Sequence, residues 1–426
     1  MKTRAFHIIL ASILAFASAH SAETLSVVPD SAQALGTVGG RFANLHDASA
    51  VRVSPANILQ IKEPEVLLNL AVWNGDIRLD STTSGSVKMS QSWIYPGSIY
   101  AVLPVVPDKL AFGFGISTPF GLGSYFPKDM PFGPGVGAGL RHNLPFEAKL
   151  LAVDFTPALA FRVTDTLTMA AGLDIVYSQL TFGRIYPWVV WGGGDPDGEI
   201  QLKGDGWGIG GYLGANWEFA PGHRLAFIGR LPIKISYSGH TETVGMPSGN
   251  PGLTGAGATS TSRFGSEMTF PGSIAIGYGV DLTERLTLGF DFQWSDNSSH
   301  DDIPLDLGNN QALLFGQSAA ALGWKDSIDL GFGASYKLDK AWQLRCGYLF
   351  SENSQPETNY LPSAAAYDRH VFGVGVGWRG KTRNVDLAYA FVYNPIRTIG
   401  SAATPAFNGN YKHQWHVFSL SVTQRF

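Results

Sequence analysis

Gly206, Gly208 and Gly211 in GWGIGG have the spacing of a glycine loop that wraps a dinucleotide phosphate. Asp195, Asp197 and Glu199 in GGGDPDGEI, and the adjacent His300, Asp301 and Asp302, offer oxygen and nitrogen donors to a cation. Serine, histidine and aspartate, the components of a hydrolytic triad, also occur along the chain. Each pattern fails in its context. The glycines fall inside an alternating strand pattern, so no helix N-terminus follows to receive a phosphate. Neither carboxylate group has the spacing of a complete calcium loop, and solvated loop charge accounts for both. No spacing in the sequence brings a serine, a histidine and an aspartate together. The expectation is a chain without catalytic residues, cofactor or metal, and its net charge of -4 speaks against nucleic acid as a partner.

The surrounding elements explain why. Lys2 and Arg4, the apolar run FHIILASILAFASA and the small residues Ala17, Ser18 and Ala19 have the form of a secretory signal peptide over residues 1–19. Cleavage is expected after Ala19, with Ala22 as the alternative. Cys346 is the only cysteine, so neither an N-terminal lipid anchor nor an internal disulfide is expected. Charged residues are 15% of the chain, against about a quarter in soluble domains, while glycine reaches 51 residues and aromatics 12%. After the signal no run of about 18 apolar residues occurs, which excludes helical membrane spans. An exported chain poor in charge and rich in glycine and aromatics fits a transmembrane antiparallel β-barrel, which spreads its apolar surface over alternate positions.

The alternation is explicit. In ERLTLGFDFQWS, Leu286, Leu288, Phe290, Phe292 and Trp294 share one face, and Thr287, Gly289, Asp291 and Gln293 the other. SIDLGFGASYKL, NVDLAYAFVY and HVFGVGVGW repeat the division, the last with Gly373, Gly375 and Gly377 on its small face. Tight connections near residues 107, 163–166, 220–223, 281–284, 338–341 and 380–383 alternate with long irregular segments. Roughly 14 strands follow, with short periplasmic turns, long outer loops and both barrel ends on the periplasmic side. The closing strand HVFSLSVTQRF ends on Phe426, a terminal aromatic resembling the assembly signature of outer-membrane barrels. A soluble β-sandwich or propeller would leave faces such as residues 286–294 as an oversized apolar patch.

Residues 20–63 fit no strand. LGTVGGRFANLHDASAVRVSPANILQI is rich in small residues, is broken by Pro55, and carries Leu35, Val38, Phe42, Leu45, Val51, Val53, Ile58 and Leu59 to bury. DSAQAL and NLHDASA are short helix-compatible pieces with Asp and Asn available as caps. A barrel of this size passes water unless something fills it. Residues 22–61 are therefore expected to fold as a plug inside the lumen, with a disordered periplasmic tail as the alternative, and residues 64–426 to form the barrel.

DASAVRVSPANI, LAFGFGISTPFGLGSYF, WKDSIDLGFGASYKLDKAWQLRCGYLFSENSQPE and VDLAYAFVY, in this order, resemble the FadL-type outer-membrane transporters of long-chain fatty acids and aromatic hydrocarbons. Asp47, Ala48, Ser49, Pro55 and Ala56 are similar to the family's hatch signature, Asp-Ala-Ser followed by Asn-Pro-Ala. Ser54 stands where the family usually has asparagine. The resemblance implies a monomer in the outer membrane of a Gram-negative bacterium that takes up hydrophobic compounds passively and selectively. Its steps would be capture in an apolar groove among the outer loops, passage to a tighter site inside the barrel, movement of the hatch, and exit sideways through an inward kink in the third strand. The groove candidates are Phe120, Leu122, Tyr125, Phe126, Met130 and Phe132. Pro119 and Gly121, both of which weaken a strand ladder, are the kink candidates. Lys325 is the candidate cation for a fatty-acid head group. The expected partners are a hydrophobic small molecule, outer-membrane lipid and lipopolysaccharide. A porin for polar solutes, which needs an open charged lumen, is the competing reading, followed by an outer-membrane hydrolase.

Overall fold

The computed structural model describes residues 30–90, 93–133, 139–192, 195–299, 302–315, 317–402 and 405–426. The expected signal peptide, residues 20–29, His300, Asp301 and the side chain of Leu122 lie outside what is described. Fourteen antiparallel strands form one closed barrel. They begin with β1 (Glu65–Ser81), β2 (Gly97–Val106), β3 (Leu110–Tyr125), β4 (Glu147–Arg162), β5 (Leu167–Pro187) and β6 (Asp197–Ala220). β7 (His223–Arg230 and Ile233–Val244) and β8 (Thr261–Phe270 and Ser273–Asp281) are each interrupted once, at Pro232 and Pro271, which have no N–H for the ladder. β9 (Leu286–Ser295), β10 (Ser327–Lys337), β11 (Trp342–Ser351), β12 (Arg369–Arg379), β13 (Arg383–Tyr393) and β14 (Gly409–Arg425) complete the circuit. β14 pairs with β1 from Glu65↔Arg425 to Ser81↔Gly409, and that ladder closes the wall.

The side-chain alternation sorts the two faces as the sequence predicts. Phe372, Val374, Leu387 and Phe418 point outward and are half exposed, while Asp291, Arg345 and Asp386 are buried on the inner side. Such an apolar exterior belongs in lipid, because water would charge about 25 cal/mol for every Å² of it. One end of the barrel has tight turns: Val163 N–H donates to Leu167 O at 2.9 Å and Gly380 N–H to Arg383 O at 2.8 Å. Asp108 sits in the left-handed region at φ 61° and Gly222 at φ 73° in two more of these turns. The long connections all lie at the other end.

Residues 30–61 contain α1 (Ala32–Thr37), α2 (Ala50–Val53) and a 3-10 turn (Pro55–Gln60). Ser31 caps α1, its Oγ accepting from Ala34 N–H at 3.2 Å. This segment touches the inner face of strands all round the barrel. Ala32 N–H donates to Ser421 Oγ on β14 at 2.8 Å, Arg41 N–H to Asp291 on β9 at 2.8 Å, and Tyr212 OH of β6 to Val51 O at 3.0 Å. Where α1 and residues 38–40 meet β10, β11 and β12, the wall presents glycine. A Cβ on Gly347 would overlap Thr37 O, and one on Gly333 would overlap Gly39 O. Glycine is needed here for close backbone approach, which gives the small face of HVFGVGVGW its structural reason.

Candidate functional site

The hatch-like motif is an interlocked knot of small polar groups. Ser31 OH donates to Asp47 Oδ2 at 2.8 Å and Ser49 N–H to Asp47 Oδ1 at 3.0 Å, so one carboxylate ties α1 to α2. Burial pushes the Asp47 carboxyl above its usual range, against the hydrogen bonds from Ser49 and Ser31. Pro55 occupies the first position of the 3-10 turn, where a missing N–H costs nothing, and Ala48 and Ala56 are buried. Ser54 is buried and its hydroxyl has no hydrogen-bond partner among the described groups. The amide work of this corner is done by Asn57. Its Nδ2 donates to Phe42 O at 2.9 Å and Leu45 O at 3.1 Å, and its Oδ1 accepts from Asn216 Nδ2 of β6 at 2.5 Å.

Two interior cavities lie on either side of this segment. The one toward the long loops, about 160 Å³, has Arg41, Phe42 and Arg52 of the N-terminal segment beneath it, with Phe120, Arg230, Asp329 and Arg369 on its walls. Phe120 stacks on Phe270 with ring centroids 4.4 Å apart. Arg52 reaches Asp30 at 3.0 Å and Asp154 at 3.7 Å, and Arg230 pairs with Asp174 at 2.7 Å while lying 4.3 Å over the Tyr212 ring. The cavity at the tight-turn end, about 230 Å³, is lined by polar and charged side chains, among them His46, Asp47, Glu65, Arg224, Lys337 and Asp386.

The wall has a discontinuity beside the first cavity. β2 and β3 pair from Val106↔Leu110 to Ile99↔Ile116 and then part. On its other side β3 stays paired with β4 up to Tyr125↔Glu147, with a register shift between Ser117 and Phe120. Thr118 and Pro119 form this bulge, because proline cannot donate to the ladder. Gly121 itself pairs regularly with Leu151, so the irregularity sits at Pro119 rather than at the glycine. Past the bulge, Ser90 meets β3 from the β2 side, its N–H and its Oγ donating to Tyr125 O at 2.7 and 2.9 Å. A small cavity of about 10 Å³, lined by Asp30, Asn69, Pro96, Gly97, Ser98, Ser117 and Thr118, lies where the two strands separate.

The loop after β3 does not gather its apolar residues into one cleft. Phe126 and Met130 are buried in a cluster with Leu140, Leu144 and Phe146, Tyr125 is half-buried, Phe132 is 66% exposed beneath the Arg141 guanidinium, and Phe120 faces the interior cavity. Loop side chains bury one another because each aromatic gains more from a full contact than from a wet edge. The loop is clasped from the side: Arg141 Nε donates to Asp197 at 2.8 Å and Lys128 to Glu199 at 2.6 Å, while Asn250 Nδ2 donates to Asp195 at 2.8 Å. The three carboxylates with cation-ligand chemistry are therefore engaged by protein donors. Gly206, Gly208 and Gly211 lie within β6. Lys325 is exposed just before β10, with its N–H donating to Ser354 O at 2.8 Å, and it lines neither interior cavity.

Residues 8–426 match the model of a family described as outer membrane protein transport protein (OMPP1/FadL/TodX). The chain belongs to this family. A putative outer membrane protein of Neisseria meningitidis serogroup B is 22% identical, with 98% of each chain covered. A long-chain fatty acid transport protein of Escherichia coli O6:H1 is 20% identical, with 83% of each covered. A crystal structure of a Pseudomonas aeruginosa FadL homologue has a TM-score of 0.83 at 18% identity, covering 95% of this chain and 100% of that one, which shows the fold alone. The chain is an outer-membrane protein of the FadL/TodX family, whose members are transporters and channels for hydrophobic substrates and not enzymes.

The structure places Asp47 and Ser49, two of the motif residues, in one hydrogen-bonded knot, and Pro119 in the register shift of β3. The sequence reading missed Asn57, Arg41, Arg52, Arg230 and Asp154. One signal was available: Asp154, Asp174 and Asp291 are charges on the inner faces of strands, where a carboxylate needs a partner from inside the barrel.

Proposed function

We propose that this FadL/TodX-family protein passes hydrophobic substrates from its outer loops to the cavity above residues 30–61, and releases them sideways between β2 and β3 into membrane lipid. Residues 20–63 act as the hatch and residues 64–426 as the barrel. The carrying observation is that β3 leaves β2 after Ile116 beside an interior cavity. The polar lining of the other cavity supports the same reading, since a greasy cargo gains nothing by entering it. Long-chain fatty acids and aromatic hydrocarbons are the cargo classes, the four arginines around the upper cavity favouring an acidic amphiphile. Each monomer carries its own exit, and outer-membrane lipid receives the cargo while lipopolysaccharide surrounds the outer half.

The test closes the exit. Ser98 and Ser117 are the positions that would pair next after Ile99↔Ile116. With Cys346→Ser as background, Ser98→Cys and Ser117→Cys joined by a short bis-thiol linker cleavable by reductant should stop uptake, and cleavage should restore it. Equal uptake with the linker intact would overturn lateral exit.

A further inference from the structure

Asp30 is the one described residue that lines both the interior cavity and the small cavity where β2 and β3 part. It is held on three sides. Tyr100 OH of β2 donates to its Oδ1 at 2.6 Å, Arg52 Nη1 of α2 to its Oδ2 at 3.0 Å, and Ser98 Oγ to its backbone oxygen at 2.8 Å. Tyr100 is fully buried, and the side chains of Arg52 and Asp30 are only 16% and 12% exposed, so this is an ion pair shielded from bulk water. Asp30 thus borders both spaces.

Arg52 has capacity to spare. Its Nε makes no hydrogen bond among the described groups and stands 3.7 Å from Asp154 Oδ2, while its backbone oxygen is fixed by Arg230 Nη2. The guanidinium can thus turn toward an anion in the cavity while its backbone stays anchored. Arg41, Arg230 and Arg369 share that cavity, against Asp329 and Glu352. A guanidinium takes a second carboxylate in the same planar, charge-assisted geometry as the first.

Resting on the lateral-exit reading, we propose that Asp30, pinned by Arg52 and Tyr100, is the bolt between the interior cavity and the parting of β2 from β3, and that an anionic cargo head group draws it by replacing Asp30 on Arg52. A neutral cargo of the same shape offers Arg52 no replacement and leaves the bolt closed. The bolt makes the exit selective for head-group charge, a property that apolar contacts alone do not supply.

Oleate and oleyl alcohol share a chain and differ in head group, so their uptake by intact cells producing the protein isolates this effect. The parent should favour oleate. Asp30→Asn should raise oleyl alcohol uptake and lower the oleate-to-alcohol ratio by roughly tenfold, the factor carried by a charge-assisted hydrogen bond. Tyr100→Phe, which keeps the buried ring and removes one donor, should move the ratio the same way by less, and heat-modifiability on gels checks that each barrel has assembled. Assembled Asp30→Asn and Tyr100→Phe barrels with the parental ratio would overturn the bolt. If the Ser98–Ser117 linker still stops uptake of both compounds in that case, lateral exit stands without it; if the linker changes neither, lateral exit is what has failed.

Discussion

Asn57→Ala should unseat residues 42–57 from the barrel interior while leaving the barrel intact. The substitution removes the donors to Phe42 O and Leu45 O and the acceptor for Asn216 Nδ2, all at a fully buried corner. Each orphaned buried group costs about 1–3 kcal/mol. Asn216 Nδ2 keeps a 3.4 Å contact to Ala43 O, which lowers the sum. Partial relaxation brings the total to roughly 3–5 kcal/mol, since neighbouring losses do not add fully. At about 1.4 kcal/mol per factor of ten, the unseated population rises by roughly two to three and a half orders of magnitude. The wall does not share the loss, because its ladder is strand to strand. Hydrogen exchange in detergent measures this directly: amides of residues 42–57 should lose protection by that factor, and the β1 to β14 ladder amides should keep theirs. Protection of residues 42–57 within threefold of the parent would refute the assignment of Asn57 as the pin. Uniform loss across the strands would show that the segment and the wall are one cooperative unit.

Two further changes probe other contacts. Gly347→Leu places a side chain where Thr37 O lies, so α1 should be pushed from β11; conductance in planar bilayers should rise while the barrel still assembles. Phe120→Ala removes the ring stacked on Phe270 and should weaken binding of a hydrophobic probe by about 1–3 kcal/mol, read by fluorescence titration.

The barrel was legible because a strand in lipid must alternate, and residues 286–294 or 369–379 state that alternation residue by residue. The count of strands followed from turns whose chemistry is local. The interior was less legible. Asn57 pairs with Asn216 and Arg52 with Asp30 and Asp154, partners set by the folded path of the segment and not by any spacing. The short motif at residues 47–49 was readable because Ser49 N–H and Asp47 are close in sequence as well as in space. The aromatic loop misled for a physical reason: composition identifies Phe126 and Met130 as groups that bury, but not whether a ligand or the loop itself buries them. Lys325 drew attention as an isolated cation near a strand, whereas the cations around the cavity are arginines from strands and the N-terminal segment together.

The central claim, exit through the wall, is tested most directly by finding where cargo travels. A photoreactive benzophenone amino acid placed at Thr118, where β2 and β3 part, and in a separate protein at Ser335, in the polar cavity at the tight-turn end, can be illuminated during uptake of radiolabelled oleate. The account predicts label on the protein carrying the probe at Thr118 and none on the protein carrying it at Ser335. Label at Ser335 with none at Thr118 would mean that cargo runs through the barrel to the periplasm, and would contradict the account.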